Sequence, residues 1–281
     1  MTDNLSNIHL SKDEFQEYGY RLVDWLAEYF DNVGQYEVLP SMEPGDIRNM
    51  LPVSAPERAE SMDEIIADLD RVVMPGMAHW QHPGWYAFFP SGASPVSALG
   101  EFVAAGLATQ GMMWSTAPAA TEIENTVLDW LVDLLGLPSS WRLDEGPGGG
   151  VIQMSASDST HLSLAVARHQ FELSGADANS LVAYGSSQAH SSIEKGARIA
   201  GFKHIRSVPV TQTFGIDADA FAQIVRDDID SGLIPAWVCS AVGTTNTTAM
   251  DPIRAIASIA TKNGMWHHAD AAYAGSAMIC P

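Results

Sequence analysis

Residues 146–171 read Gly-Pro-Gly-Gly-Gly-Val-Ile-Gln-Met-Ser-Ala-Ser-Asp-Ser-Thr-His-Leu-Ser-Leu-Ala-Val-Ala-Arg-His-Gln-Phe. A glycine-rich turn leads into a short apolar run, Val151-Ile152, which reads as a strand. Ser155-Ala156-Ser157 then opens a helix carrying Leu162, Leu164, Ala165 and Val166. The alternation continues downstream. The pattern predicts a strand over 181–184, a helix over 187–200, a strand over 203–208, a helix over 218–229 closed by Gly232, and a strand over 236–242. Asp251 with Pro252 caps and starts a further helix, which stops at Asn263-Gly264, and a last buried strand runs through Met265 and Trp266 to Asp270. Strands alternating with helices imply an α/β domain with a mainly parallel sheet.

Upstream the pattern is helical and aromatic. Ser11 and Glu14 form a capping box before Phe15, Tyr18, Leu22, Trp25, Leu26 and Tyr29 at helical spacing, and Ser61 with Glu64 form a second before Ile65, Ile66, Leu69 and Val72. Between them, 36–60 holds Pro40, Pro44, Gly45, Pro52 and Pro56 and reads as an extended arm. Two such helices do not make a self-sufficient core, so this segment is expected to wrap a neighbouring domain or a second subunit. The stretch 77–95 is dense in Trp80, Trp85, Tyr86, Phe88 and Phe89, which serve either as filler under a loop or as a wall for a flat ligand. His79 and His82 lack a third metal ligand at a telling spacing. Small-residue and amphipathic helices follow over 97–113 and from Pro118 to Gly136. The resulting division is an N-terminal helical and extended segment, 1–90, and an α/β domain, 91–281.

Composition bounds the function. The chain has 281 residues, and 34 Asp and Glu against 14 Lys and Arg give a net charge of -20. That field repels phosphate backbones, so nucleic acid is not an expected partner, and an anionic ligand has to be held by local backbone donors. Two cysteines, Cys239 and Cys280, exclude a disulfide scaffold and suit a reducing cytoplasm. The first residues show neither a basic nor an apolar leader, and no run of 18 apolar residues occurs, so a soluble, cytoplasmic, membrane-independent protein is expected.

In parallel sheets ligands lie at the carboxyl ends of the strands. Each predicted exit here carries polar chemistry. Ser155, Ala156 and Ser157 sit at a helix N-terminus, where amides and the helix dipole hold phosphate. His190 follows the strand ending at Tyr184, within Ser187-Gln188-Ala189-His190-Ser191-Ser192. Gly243-Thr244-Thr245-Asn246-Thr247 is a hydroxyl-rich loop. Asp270 ends the last strand, with Ala271, Ala272, Ala274 and Gly275 leaving room for something flat. A carboxylate there faces a cation, a metal or a protonated ring nitrogen, or else caps the next helix. A phosphate cradle, an imidazole, hydroxyls and a carboxylate on one rim describe a site for a phosphorylated aromatic cation, which pyridoxal 5'-phosphate matches.

The chain resembles the pyridoxal-phosphate-dependent group II amino-acid decarboxylases, most of all the aromatic-L-amino-acid decarboxylases. The resemblance runs from Phe15 to Pro281 and is carried by His79-Trp80, Pro118-Ala119, Gly148 to Gln153, Ser155-Ala156-Ser157, Gln188 to Ser192, Gly243-Thr244-Thr245 and Asp270 to Ala277. It implies a fold type I large domain, a lyase that converts an L-amino acid, expected to be aromatic, to amine and carbon dioxide, and a homodimer with a swapped N-terminal segment. Carried over residue by residue, it gives Asp270 and His190 the catalytic roles, at the pyridine nitrogen and on the ring face. It assigns Ser91, Ala156, Ser157, Thr245 and Ala272 to the cofactor, and Trp80, Phe88 and Phe89 to the substrate side chain. Gln110 to Met113 are expected to reach the partner's site. No metal is implied.

Met154 and Asp158 depart from the family's usual residues, which bears on substrate more than on family. The family's Schiff-base lysine is expected about thirty residues beyond Asp270, past Pro281, and the family's C-terminal small domain is not expected within these residues. The lysines present are Lys12, Lys195, Lys203 and Lys262, of which Lys195 is nearest in sequence to a cofactor residue. These residues are therefore expected to cradle the cofactor without its covalent anchor. Rival readings are acidic-amino-acid decarboxylation, an aldehyde synthase, a shortened non-catalytic subunit, and a hydrolase metal site at His267, His268 and Asp270.

Overall fold

In this computed structural model, residues 9–89 and 92–280 are described. The chain groups into two compact units, Met1–Ala108 and Thr109–Pro281. In the first, α1 (Lys12–Asn32) starts at Ser11, whose side chain accepts from the Glu14 amide while Glu14 returns to the Ser11 amide. This reciprocal cap satisfies two of the amides a helix start leaves open. The same arrangement at Ser61 and Glu64 opens α3 (Met62–Asp68), which ends in a wider turn over Leu69–Val73 before Pro75. The 36–60 arm is mostly irregular but contains a short helix, α2 (Asp46–Met50). The small-residue helix, α4 (Pro95–Leu107), groups with this unit and ends in a left-handed residue at Ala108, short of the expected 113.

The second unit begins with α5 (Pro118–Leu134) and α6 (Ala156–Leu173). The expected strand at Val151-Ile152 does not form. Both side chains are largely exposed and the Ile152 amide donates to Glu124 Oε1 at 2.7 Å, so an apolar pair with no neighbouring strand stays irregular. There follow β1 (Leu181–Ser186), α7 (Ser192–Ile199), β2 (His204–Val208), α8 (Ala218–Asp230), β3 (Ile234–Ala241), α9 (Ile253–Lys262) and β4 (Trp266–Asp270). The sheet order is β2-β1-β3-β4, parallel throughout. Helix α7 starts at 192 rather than 187, because 187–191 form the turn that carries His190.

Alternate side chains of the central strands feed two cores. Leu181, Ala183, Trp237 and Cys239 pack with Leu164 and Ala167 of α6 and Ile193 and Ala197 of α7. Val182, Tyr184 and Val238 pack on the other face with Phe221 and Val225 of α8 and Ile256 and Ala260 of α9. Burial on both faces is what a parallel sheet with crossover helices requires. The expected buried last strand is instead half-buried: among the described residues β4 has one neighbouring strand, and Ala269 is exposed. The connection from β1 leaves toward β2 and that from β3 leaves toward β4, so the strand order reverses between β1 and β3, where doubly covered sheets open a crevice.

Candidate functional site

Helix α6 runs against the strands. Thr160, one turn into it, reaches His268 of β4, while Ser163, further along, accepts from Trp237 Nε1 of β3 at 3.2 Å, and Trp237 stands in register two residues nearer the strand starts than His268. The α6 N-terminus therefore lies at the carboxyl edge of the sheet. Ser155 caps it, accepting from the Asp158 amide at 3.2 Å and donating to Asp158 Oδ2 at 2.8 Å. That leaves the amides of Ala156 and Ser157, which helix geometry gives no intrahelical acceptor, for an outside anion.

His190 stands exposed on the β1–α7 turn. Its Nδ1 accepts the Ser192 amide at 3.2 Å and lies 2.9 Å from Ser192 Oγ. Since a backbone N–H only donates, the neutral ring carries its proton on Nε2. A polar cavity of about 270 Å³ flanks this turn on the β2 side, with Ser186, Ser187, Arg206 and Ser207 in its wall.

Beyond β3, Gly243 has φ +87 and a Cβ there would run into the Tyr273 ring, so glycine is required on two counts. Thr244 organises the loop: 3% exposed, it meets Thr247 Oγ1 at 2.7 Å and accepts from the Ala249 amide at 3.2 Å. Thr245 is half-buried and makes none of these bonds.

Asp270 ends β4, half-buried. Oδ1 accepts the Ala272 amide at 3.2 Å, which also bends the chain outward at the exposed Ala272. No Lys or Arg pairs with Asp270 among the described residues. Its charge is felt at Cys239, where burial and then Asp270 push the thiol up, and at His268, where Asp270 partly offsets burial. Cys239 belongs to the α6 and α7 core and His268 touches α6, so the carboxylate lies on that face of the sheet. The α6 amides, the His190 turn and Asp270 thus share the corner formed by the carboxyl edge of the sheet and its α6 and α7 face.

This corner suits pyridoxal phosphate in its chemistry: an anion site, a flat imidazole and a carboxylate lacking a cation. It does not supply a covalent anchor. Lys195 is exposed with Nζ 3.3 Å from Ser191 Oγ; Lys203 precedes β2 and Lys262 ends α9, both at the opposite edge; Lys12 lies in the other unit. The metal reading of His267, His268 and Asp270 meets a different arrangement: His267 Nε2 lies 2.7 Å from Ser240 Oγ, and no cluster of three metal-ligating side chains occurs among the described residues.

Of the remaining residues, Ser91 lies outside the described residues. Trp80, Phe88 and Phe89 belong to the first unit, where Trp80 stacks on Trp85 at 4.6 Å and on Phe88 at 5.9 Å. His79 is a core residue there, 3% exposed, with Nδ1 3.1 Å from Tyr29 Oη and its ring stacked on Tyr36. Sequence reasoning missed Thr160 and Asp251. The first was hidden within a helical repeat; the second read as a helix cap but accepts from the buried amides of Ile216 and Ala241 at 2.8 and 2.7 Å.

Comparison with known proteins agrees with the corner's chemistry. The model of the pyridoxal-dependent decarboxylase conserved domain matches residues 44–281. Among curated relatives, aromatic-L-amino-acid decarboxylase of Catharanthus roseus is 42% identical over 97% of this chain and 55% of its own length, and phenylacetaldehyde synthase of Arabidopsis thaliana is 40% identical over 97% and 56%. The crystal structure of Catharanthus roseus tryptophan decarboxylase in complex with L-tryptophan superposes with a TM-score of 0.91 at 41% identity, covering 97% of this chain and 59% of that one. The chain spans about half the length of the curated relatives it matches. With a family model matched over most of its residues, this chain belongs to the pyridoxal-dependent decarboxylase family.

Proposed function

We propose that this chain forms the cofactor-holding part of an enzyme that decarboxylates an aromatic L-amino acid to its amine and carbon dioxide with pyridoxal 5'-phosphate. When bound, the cofactor supplies an electron sink for the electron pair left on the α-carbon as carbon dioxide departs. The rest is work for this chain. Asp270 holds a proton on the pyridine nitrogen, since a carboxylate beside a basic nitrogen raises its pKa. The α6 amides of Ala156 and Ser157 bind the phosphate against the chain's acidic field. His190, its orientation set by Ser192, would offer a flat face to the ring, and Thr245 and Ala272 would help to hold the cofactor.

The observation that carries this reading is Asp270: half-buried, without a cation among the described residues, and on the same sheet face and edge as the α6 N-terminus. Titration of the purified chain with pyridoxal phosphate, followed by cofactor absorbance, tests it. Losing a charge-assisted bond is expected to weaken binding about 10- to 100-fold in Asp270→Asn, with partial rescue by Asp270→Glu. Equal affinity and an unchanged spectrum in Asp270→Asn overturn the assignment. Borohydride followed by dialysis is expected to leave the chain without cofactor absorbance; a reduced-cofactor absorbance that stays with the chain instead identifies a lysine within these residues as an anchor.

A second reading has one observation in its favour: phenylacetaldehyde synthases stand among the relatives at 38 to 40% identity. Product analysis separates the two, amine for the first and aldehyde with ammonia for the second. The assignment of Trp80, Phe88 and Phe89 to the substrate side chain is kept as a proposal. So is a homodimer, supported by the exposed Phe15, Tyr20 and Val23 along α1.

A further inference from the structure

We propose that His268 is a positioning residue that couples the two ends of the cofactor cradle, the Asp270 carboxylate on β4 and the first turn of α6. The inference rests on the reading of this corner as a pyridoxal-phosphate cradle. His268 stands two residues before Asp270, so both side chains leave β4 on one face. Its ring stacks on Trp237 with centroids 5.6 Å apart and planes at 22°, which fixes its height above the sheet. Its Nε2 lies 3.3 Å from Thr160 Oγ1, and that hydroxyl bonds back to the Ala156 carbonyl at 3.1 Å. Ala156 is the first residue of α6. A second path runs in parallel, from Trp237 Nε1 to Ser163 Oγ at 3.2 Å and from Ser163 Oγ to the Thr160 carbonyl at 2.8 Å. Strand β4 and the phosphate-holding turn are thereby tied through a bonded chain of side chains, from the half-buried His268 to the buried Thr160.

A flat, rigid ligand recognised at both ends requires a set distance between its two recognition groups, and small errors there are costly. His268 also protects the charge it sits beside. Burial holds its imidazole below the usual range although Asp270 pulls it up, so it is neutral near pH 7. An imidazolium at this position would compensate Asp270; a neutral ring leaves the carboxylate's charge for the ligand's cation. A packing residue alone would need the ring and not its nitrogen.

The test compares wild type with His268→Phe, His268→Gln, Thr160→Val and the pair His268→Phe with Thr160→Val. Pyridoxal phosphate affinity is read by cofactor absorbance, and backbone amide exchange is read without cofactor at Asp158 and Ser159, the first-turn amides that are bonded to Ser155. Phe keeps the stack and loses the bond; Gln keeps an N–H that can reach Thr160. His268→Phe and Thr160→Val are each expected to weaken binding about tenfold, with the double variant no worse than either and His268→Gln close to wild type. Amide exchange in the α6 first turn is expected to speed up in the Phe variant and recover in the Gln variant. Wild-type affinity and exchange in His268→Phe, or failure of Gln to rescue, overturn the coupling. If wild type takes up no pyridoxal phosphate, the functional reading fails, and the exchange comparison alone decides the coupling.

Discussion

Asp251 is expected to be the most sensitive single carboxylate in the α/β unit. It is 6% exposed, and its two oxygens accept the amides of Ile216 at 2.8 Å and Ala241 at 2.7 Å, residues themselves 2% and 5% exposed. Ala241 is the last residue of β3, and its register partner is Asp270. One side chain therefore holds the strand end beside the candidate site to the 210–216 loop. Asp251→Ala strands two buried donors, each costing about 1 to 3 kcal/mol, or about 2 to 5 kcal/mol together after partial relaxation. In a domain of this size each kcal/mol moves the melting temperature by about 2 to 4 °C, so a fall of about 10 °C is expected. Asp251→Asn keeps one acceptor and turns an NH2 toward the other amide, and is expected to lose roughly half as much. Thermal unfolding by circular dichroism gives the first number, and hydrogen exchange at Ile216 and Ala241 locates it. A melting temperature within about 2 °C of wild type, with both amides still protected, refutes the reasoning, because it means that water or backbone groups satisfy those donors without the carboxylate.

Two other expectations follow from buried groups. Tyr184 donates to Asp228 at 2.9 Å, and Arg206 grips the same carboxylate through Nε and Nη2, the closest approach being 2.6 Å. Tyr184→Phe is expected to cost about 1 kcal/mol and Arg206→Met about 2 to 3, since the latter leaves a charge with 8% exposure and no cation; chemical denaturation orders them, and the reverse order rejects this account. His267 and His268 are both held below the usual imidazole range, by burial first. Their folded pKa values lie under the unfolded value of about 6.5, so their stabilising contribution is full above that pH and declines as pH falls toward the lowered values. Denaturant midpoints measured downward from neutrality are expected to fall more steeply in wild type than in His267→Gln with His268→Gln, and parallel curves count against it.

Much of this architecture is a local property of the chain. Capping boxes at Ser11 and Ser61 act over three residues, and the alternation of strands and helices from 181 to 270 expresses which faces need burial, so both were legible without tertiary information. The same holds for the rim position of the candidate residues Ala156, Ser157, His190 and Asp270, which follows from strand ends and helix starts. Other features depend on what each residue meets across the fold. Val151 and Ile152 have strand-like side chains but no partner strand, and a strand needs one to satisfy its backbone. Thr244, not Thr245, is the buried organiser of its loop, a distinction between adjacent identical residues that only their different burial and bonding make. Asp251 read as a helix cap until the 210–216 loop brought a second amide to it, 35 residues away in sequence. His268 acquires its role from Thr160, 108 residues earlier, and from the Trp237 ring beneath it. Local chemistry along the chain determined which groups stand at the carboxyl edge of the sheet; long-range packing decided which of them are tied together, because hydrogen-bond partners distant in sequence leave no periodicity to read.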